Sequence, residues 1–170
     1  QLAPSDTFLM IESIRVAEAL DNPAQLMDRV SQLLLQEPGE IRTVLNLRLF
    51  SNYSQPIPGL KALAHRVYVR YPERAEGWIL RALDALQNGR LATAREACQM
   101  ALRHPESQAS ARLLQGVTLE RLGRIEAAQT AYFLSHALDP SDSRPLIGIA
   151  TIWLQRGNPR QAEAAFRTLA

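Results

Sequence analysis

Four scarcities bound what this chain of 170 residues can be. Cysteine occurs once, at Cys98, so no internal disulfide can form and no pair of thiolates is available for a metal. No stretch approaches the roughly 18 consecutive apolar residues that a membrane-spanning helix needs, and no signal peptide is visible, so direct membrane insertion by this segment is not expected. Net charge is small: 19 basic residues against 17 acidic ones leave +2, which lends a nucleic-acid partner no support. Lysine is almost missing. Lys61 is the only one, and the other 18 basic residues are arginine, a bias read first as the coding preference of a GC-rich, bacterial genome. Because the chain begins at Gln1 rather than Met, it is expected to be a segment of a longer protein, with any anchor, signal or catalytic domain outside it.

Signatures of catalysis are also missing. There is no glycine-rich phosphate loop and no Gly-x-Ser-x-Gly elbow. His65, His104 and His136 stand far apart, none with a second His or Cys three or four residues on, so convergent metal ligation is not expected. Glu18, Asp84 and Glu120 recur beside arginines and read as solvated, ion-paired helix faces rather than as acid–base pairs. Cys98 reads as a small apolar core residue, and Trp78 and Trp153 as core packing rather than stacking platforms. The expectation is a protein without catalytic residues, cofactor or metal.

What is present is a period. Gly89, Gly123 and Gly157 are 34 residues apart, as are Ala94, Ala128 and Ala162, and Cys98, Tyr132 and Phe166. Three series sharing one period mark a stack of identical supersecondary units. Pro38, Pro72, Pro105 and Pro140 punctuate the units, since proline cannot continue a helix. A second break falls inside each unit, at Asp21-Asn22-Pro23, at Gln55 to Pro58, and then at the three glycines. Glycine supplies the left-handed residue that ends one helix, and proline suits the first position of the next. Apolar residues between the breaks recur at 3 to 4 residues, as in Ile79, Leu80, Leu83 and Leu86. Helices are therefore predicted over 5–20, 23–36, 40–54, 58–71, 73–87, 90–103, 107–121, 124–138, 142–155 and 159–169, with Ser5 or Asp6, Ser107, and Ser141 or Asp142 as N-caps and no strands.

These motifs resemble the tetratricopeptide repeat family. Trp78 takes that family's Trp position and Gly116 its first-helix Gly position. The second-helix motif is matched by Ala94-x-x-x-Cys98, Ala128-x-x-x-Tyr132 and Ala162-x-x-x-Phe166, and Pro140 closes its unit. The match is strongest from Glu73 onward; earlier, Leu26 and Leu60 replace the small residue, and Val30 and Ala64 the aromatic. The resemblance implies an all-α, right-handed superhelical solenoid of about five hairpins, one array over 1–170 with units near 5–38, 39–72, 73–105, 106–140 and 141–170. It further implies that first helices line a concave groove presenting Phe8, Ile11, Glu12 and Arg15; Arg42, Leu45 and Asn46; Glu76, Ile79, Leu80 and Leu83; Ser110, Leu113, Leu114, Val117 and Arg121; and Arg144, Ile147 and Thr151. Of these, Leu45, Glu76, Ile79, Leu80, Leu83, Leu113, Leu114, Val117, Arg121, Arg144 and Ile147 are the expected partner contacts, with the aliphatic strip at the centre. No first helix carries a lysine, which argues against the family's carboxylate clamp.

The implied function is a non-enzymatic scaffold that binds another protein or peptide segment, helical or extended, within an assembly such as a bacterial envelope, secretion or exopolysaccharide complex. A substrate-recruiting accessory domain of a larger glycosyl- or sulfotransferase stays open beside it, as do cytoplasm and periplasm. The last unit ends without a polar capping helix, so self-association through Trp153, Phe166 and Leu169 is also expected.

Overall fold

A computed structural model describes residues 4–167, with side chains described for all of these except 4, 5, 48 and 49. The described residues form eleven α-helices and no strand: α1 (Pro4–Ala19), α2 (Pro23–Gln36), α3 (Ile41–Leu45), α4 (Arg48–Ser51), α5 (Leu60–Arg70), α6 (Glu76–Gln87), α7 (Leu91–Ala101), α8 (Gln108–Arg121), α9 (Ile125–Leu138), α10 (Arg144–Gln155) and α11 (Pro159–Arg167). The chain divides after Arg90 into two compact units, the boundary falling in the Asn88-Gly89-Arg90 turn of the third hairpin. In the first unit α1 packs on α2, α2 on α5 and α5 on α6. In the second, each of α7 to α10 packs on its successor, and α8 also meets α10. Contacts between neighbours in sequence are the signature of a repeat array.

The turns repeat because their chemistry does. Gly89, Gly123 and Gly157 have φ of 68, 72 and 72°, left-handed values that cost an L side chain about 1–2 kcal/mol. After each, the next N–H closes back on the helix: Arg90 to the Ala85 carbonyl at 2.8 Å, Arg124 to Leu119 at 2.9 Å, and Asn158 to Trp153 at 2.9 Å. Asp21 makes the same closure without glycine, with φ of 50° and the Asn22 N–H on the Ala17 carbonyl at 3.2 Å. Asn22 then caps α2, its side chain accepting the Gln25 N–H at 3.1 Å, with Pro23 as first helical residue. Of the caps expected from sequence, Ser5 and Asp6 fall inside α1, Ser107 holds the N-cap position of α8 with no side-chain bond, and Ser143 rather than Ser141 or Asp142 holds that of α10, where Asp142 accepts the Arg144 N–H at 3.0 Å.

Packing in the second unit is set by one large residue between two absent ones. Tyr132 on α9 is 2% exposed. A Cβ on Gly116 of α8 would lie 2.5 Å from its ring, and one on Gly148 of α10 would lie 2.8 Å from the ring's other edge. Its hydroxyl donates to Glu120 at 2.7 Å. One period earlier Cys98 is buried in the corresponding place, its Sγ 4.0 Å from the Thr118 hydroxyl. In the first unit Gly77 plays the glycine part, since its Cβ would stand 2.7 Å from that of Tyr68.

One predicted helix is broken. The segment 40–54 forms a short turn over Pro38–Glu40, then α3 and α4, with Leu47 between them extended at φ −65°, ψ 143°. In one continuous helix Phe50 would stand about 180° around the axis from Ile41. The break lets both join the core, together with Val44, Leu45 and Leu47. The following loop is fastened by Gln87 of α6, whose carboxamide accepts the Ile57 N–H at 3.2 Å and donates to the Asn52 carbonyl at 3.0 Å.

Gly116→Ala gains back the roughly 0.5–1 kcal/mol that a helical glycine costs but overpacks Tyr132, which costs about 1–3 kcal/mol. A net loss of stability is expected on thermal melting. The loss should shrink in a Tyr132→Leu background, which vacates the ring. An equal loss in both backgrounds would contradict the interlock.

Candidate functional site

The expected groove residues separate into two groups. Glu76, Ile79, Leu80 and Leu83 follow helical spacing along one stripe of α6 that continues to Gln87. All are at most 1% exposed except Gln87, at 5%. The 52–57 backbone is bonded to Gln87 at the end of that stripe, so the chain's own loop occupies a place expected for a partner. Glu76 is not a rim charge. Arg74 holds it with two bonds, Nε to Oε2 at 3.1 Å and Nη2 to Oε1 at 2.8 Å, which offsets the burial of a carboxylate. Leu45 on α3, and Ser110, Leu113, Leu114 and Val117 on α8, are likewise buried. The expectation that this aliphatic strip faces solvent is therefore corrected: the large apolar residues are core, where dehydrating each contributes about 1.5–3 kcal/mol.

The remaining residues are accessible. Arg121 is exposed in the last turn of α8. Arg144 is half-buried, its guanidinium bonded to Asp142 from Nε at 2.9 Å and Nη2 at 2.6 Å. Ile147 is 45% exposed, and two turns further along the same stripe of α10 Leu154, not among the residues expected from sequence, is 52% exposed. Between them the Thr151 hydroxyl donates to the Ile147 carbonyl at 2.8 Å. In the first unit, Ile11 and Arg15 of α1 and Asn46 beyond α3 line an open cleft of about 270 Å³ with Ile14, Glu18 and Leu47. Phe8 is exposed on α1, Glu12 pairs with Arg15 at 2.6 Å, and Arg42 is exposed.

Carboxylates expected to be solvated are not all so. Asp84 is buried, ion-paired with Arg90 and bonded by the Asn88 side chain at 3.2 Å. Glu120 is half-buried under Tyr132. Glu126 is fully exposed, and the hydrogen bond from Arg156 holds its carboxyl below the ordinary range. Among the described residues no three His, Cys, Asp or Glu side chains gather as metal ligands would, and no helix is long and apolar enough to cross a membrane. At the C-terminal end Phe166 is exposed and Trp153 half-buried, while Leu169 lies outside the described residues.

Helical hairpins with left-handed turns, closely packed where Tyr68 meets Gly77 and Tyr132 meets Gly116 and Gly148, define a helical-repeat protein. The tetratricopeptide repeat family model matches residues 60–108 and 79–143, so the chain carries repeats of that family over 60–143. Its fold is similar to that of two crystal structures of MamA. One is 16% identical, covering 95% of this chain and 88% of that one with a TM-score of 0.56. The other is 17% identical, covering 89% of each chain with a TM-score of 0.56. A third structure, MamA MSR-1 C2, is 15% identical, covering 96% of this chain and 94% of that one with a TM-score of 0.53. Among curated proteins no match is found. Repeats of this family and this fold support a protein-interaction scaffold in general terms.

Burial pushes the Cys98 thiol up from 9.0 to about 12, with the Thr118 hydroxyl opposing weakly. At pH 8 the folded chain should react with a thiol reagent only on unfolding, because the nucleophile is the thiolate. One equivalent should appear in denaturant. Rapid labelling of the native chain would contradict the burial.

Proposed function

We propose that the chain is a non-enzymatic scaffold that holds a helical or extended segment of another protein on those parts of its first-helix face that reach solvent. The observation carrying this reading is the pair Ile147 and Leu154, two large apolar side chains about half exposed on one stripe of α10. Folding gains little from an apolar residue left in water, and two of them on one stripe of a regular helix suit an apolar anchor on a partner. Arg121, on the helix that packs beside α10, supplies the charge at the rim. In the first unit the cleft of Ile11, Arg15 and Asn46 offers a second contact of the same kind, apolar at its floor and polar at its edge. Leu45, Glu76, Ile79, Leu80, Leu83, Leu113, Leu114 and Val117 support these surfaces from beneath as core. Arg144, tied to Asp142, orients the start of α10.

The double variant Ile147→Ser, Leu154→Ser tests this. Both side chains are already half in water, so helicity and melting temperature should hardly move. In affinity capture from cells that make the protein, at least one species retained by the unaltered chain should be lost, with binding weakened tenfold or more, the scale of a single anchor. Retention of every species by a folded double variant would move the contact elsewhere.

A further inference from the structure

The first unit holds a cavity of about 330 Å³ between α5 and α6 whose chemistry belongs neither to the core nor to the first-helix face. Lys61, His65 and Tyr68 descend one stripe of α5 at spacings of four and three residues, and Trp78, Arg81 and Asp84 descend the facing stripe of α6 at spacings of three. Gly77 lets the helices close on Tyr68 at one end, while the small Ala64 leaves room within. The wall is aromatic: Tyr68 and Trp78 meet edge to face, ring centroids 5.0 Å apart at 68°. Trp78, expected as core, is half-buried there, and the Arg81 guanidinium lies over its ring at 5.4 Å.

The charges do not balance. Three cations, Lys61, Arg81 and Arg90, line the cavity against the single carboxylate of Asp84, which Arg90 engages. Among the described residues Lys61 and Arg81 have no carboxylate partner, and both are exposed. An arginine stacked on an aromatic face keeps its edge N–H groups for an anion, and the stack fixes the guanidinium so that less freedom is lost on binding. Lys61 contributes the chain's only lysine ammonium to the same cavity. The site therefore presents two uncompensated cations beside an aromatic wall, in a volume suited to one or two side chains.

The geometry points to an acidic peptide segment as the ligand: a partner's Asp or Glu carboxylate bound between Lys61 and Arg81, with a neighbouring apolar side chain packed on Tyr68 and Trp78. This rests on the scaffold reading above and adds a partner chemistry at a second surface. A polyanion fits less well. The cations are confined to one cavity instead of forming a stripe along the surface, and Asp84 would repel a doubly charged phosphate.

Trp78 is its own reporter once the other tryptophan is removed with Trp153→Phe. The probes are the acetylated, amidated hexapeptide Glu-Asp-Phe-Leu-Glu-Asp, its neutral counterpart Gln-Asn-Phe-Leu-Gln-Asn, inorganic phosphate and a twelve-residue oligothymidylate. The acidic peptide should change Trp78 emission saturably. The neutral peptide should bind at least tenfold more weakly, and Arg81→Glu and Lys61→Glu, each on an exposed position and each checked for helicity, should weaken the acidic peptide at least tenfold. Equal binding of both peptides, no effect of either variant, no binding at all, or displacement by phosphate or oligothymidylate at matched concentration would each overturn the assignment. None of these would overturn the scaffold reading, which stands or falls on capture by Ile147 and Leu154.

Discussion

The structure depends on one steric relation: a large side chain on a second helix needs a residue without a Cβ on the helices it meets. Tyr132 between Gly116 and Gly148 is its fullest expression, because a single methyl on either side would come within 2.8 Å of the ring. That contact sets the approach of α8, α9 and α10 together, and the 34-residue period then carries similar placements along the chain. Cys98 against Thr118 is a smaller version, with less volume inserted. A close-packed interior has no slack to absorb a mismatch at these points.

Close approach has a consequence for function. Helices drawn this near bury their apolar stripes, and α6 is buried on nearly all its sides, with only Arg81 exposed and Trp78 half-buried within it. The broken second hairpin adds to this. Leu47 and Phe50 turn into the core, and Gln87 donates to the Asn52 carbonyl and satisfies the buried Ile57 N–H, which without a partner would cost about 1–3 kcal/mol. We propose that recognition falls to places the interlocks do not consume: the outer stripe of α10, the cleft beside α1, and the cavity between α5 and α6.

The glycine turns, every predicted helix except the one over 40–54, and the small and large motif positions of Gly116 and Tyr132 were legible because their causes are local. A left-handed turn demands glycine at a fixed offset, and the motif spacing places small beneath large. The break at Leu47 was not legible, since it accompanies the burial of Phe50, and the loop after it is held by an amide 30 residues beyond Ile57. Burial of Ile79, Leu83 and Leu113 was not legible either. Periodicity identifies which stripe of a helix is apolar but not what covers it. Asp84 and Arg90 misled for a related reason: charged residues at short spacing look solvated until a neighbouring helix covers the carboxylate. The cavity of Lys61 and Arg81 had no signal at all, because it is composed of two stripes that meet only in the fold.

The central claim is that the aliphatic strip of the first helices is interior and that recognition uses what remains outside. Methyl-resolved NMR with a soluble paramagnetic agent measures this residue by residue. The account predicts that the methyl signals of Ile79, Leu80, Leu83, Leu113 and Leu114 are nearly unaffected while those of Ile147 and Leu154 broaden strongly. Comparable broadening of both groups in a folded sample would mean that the strip is an open groove, and the account would be wrong.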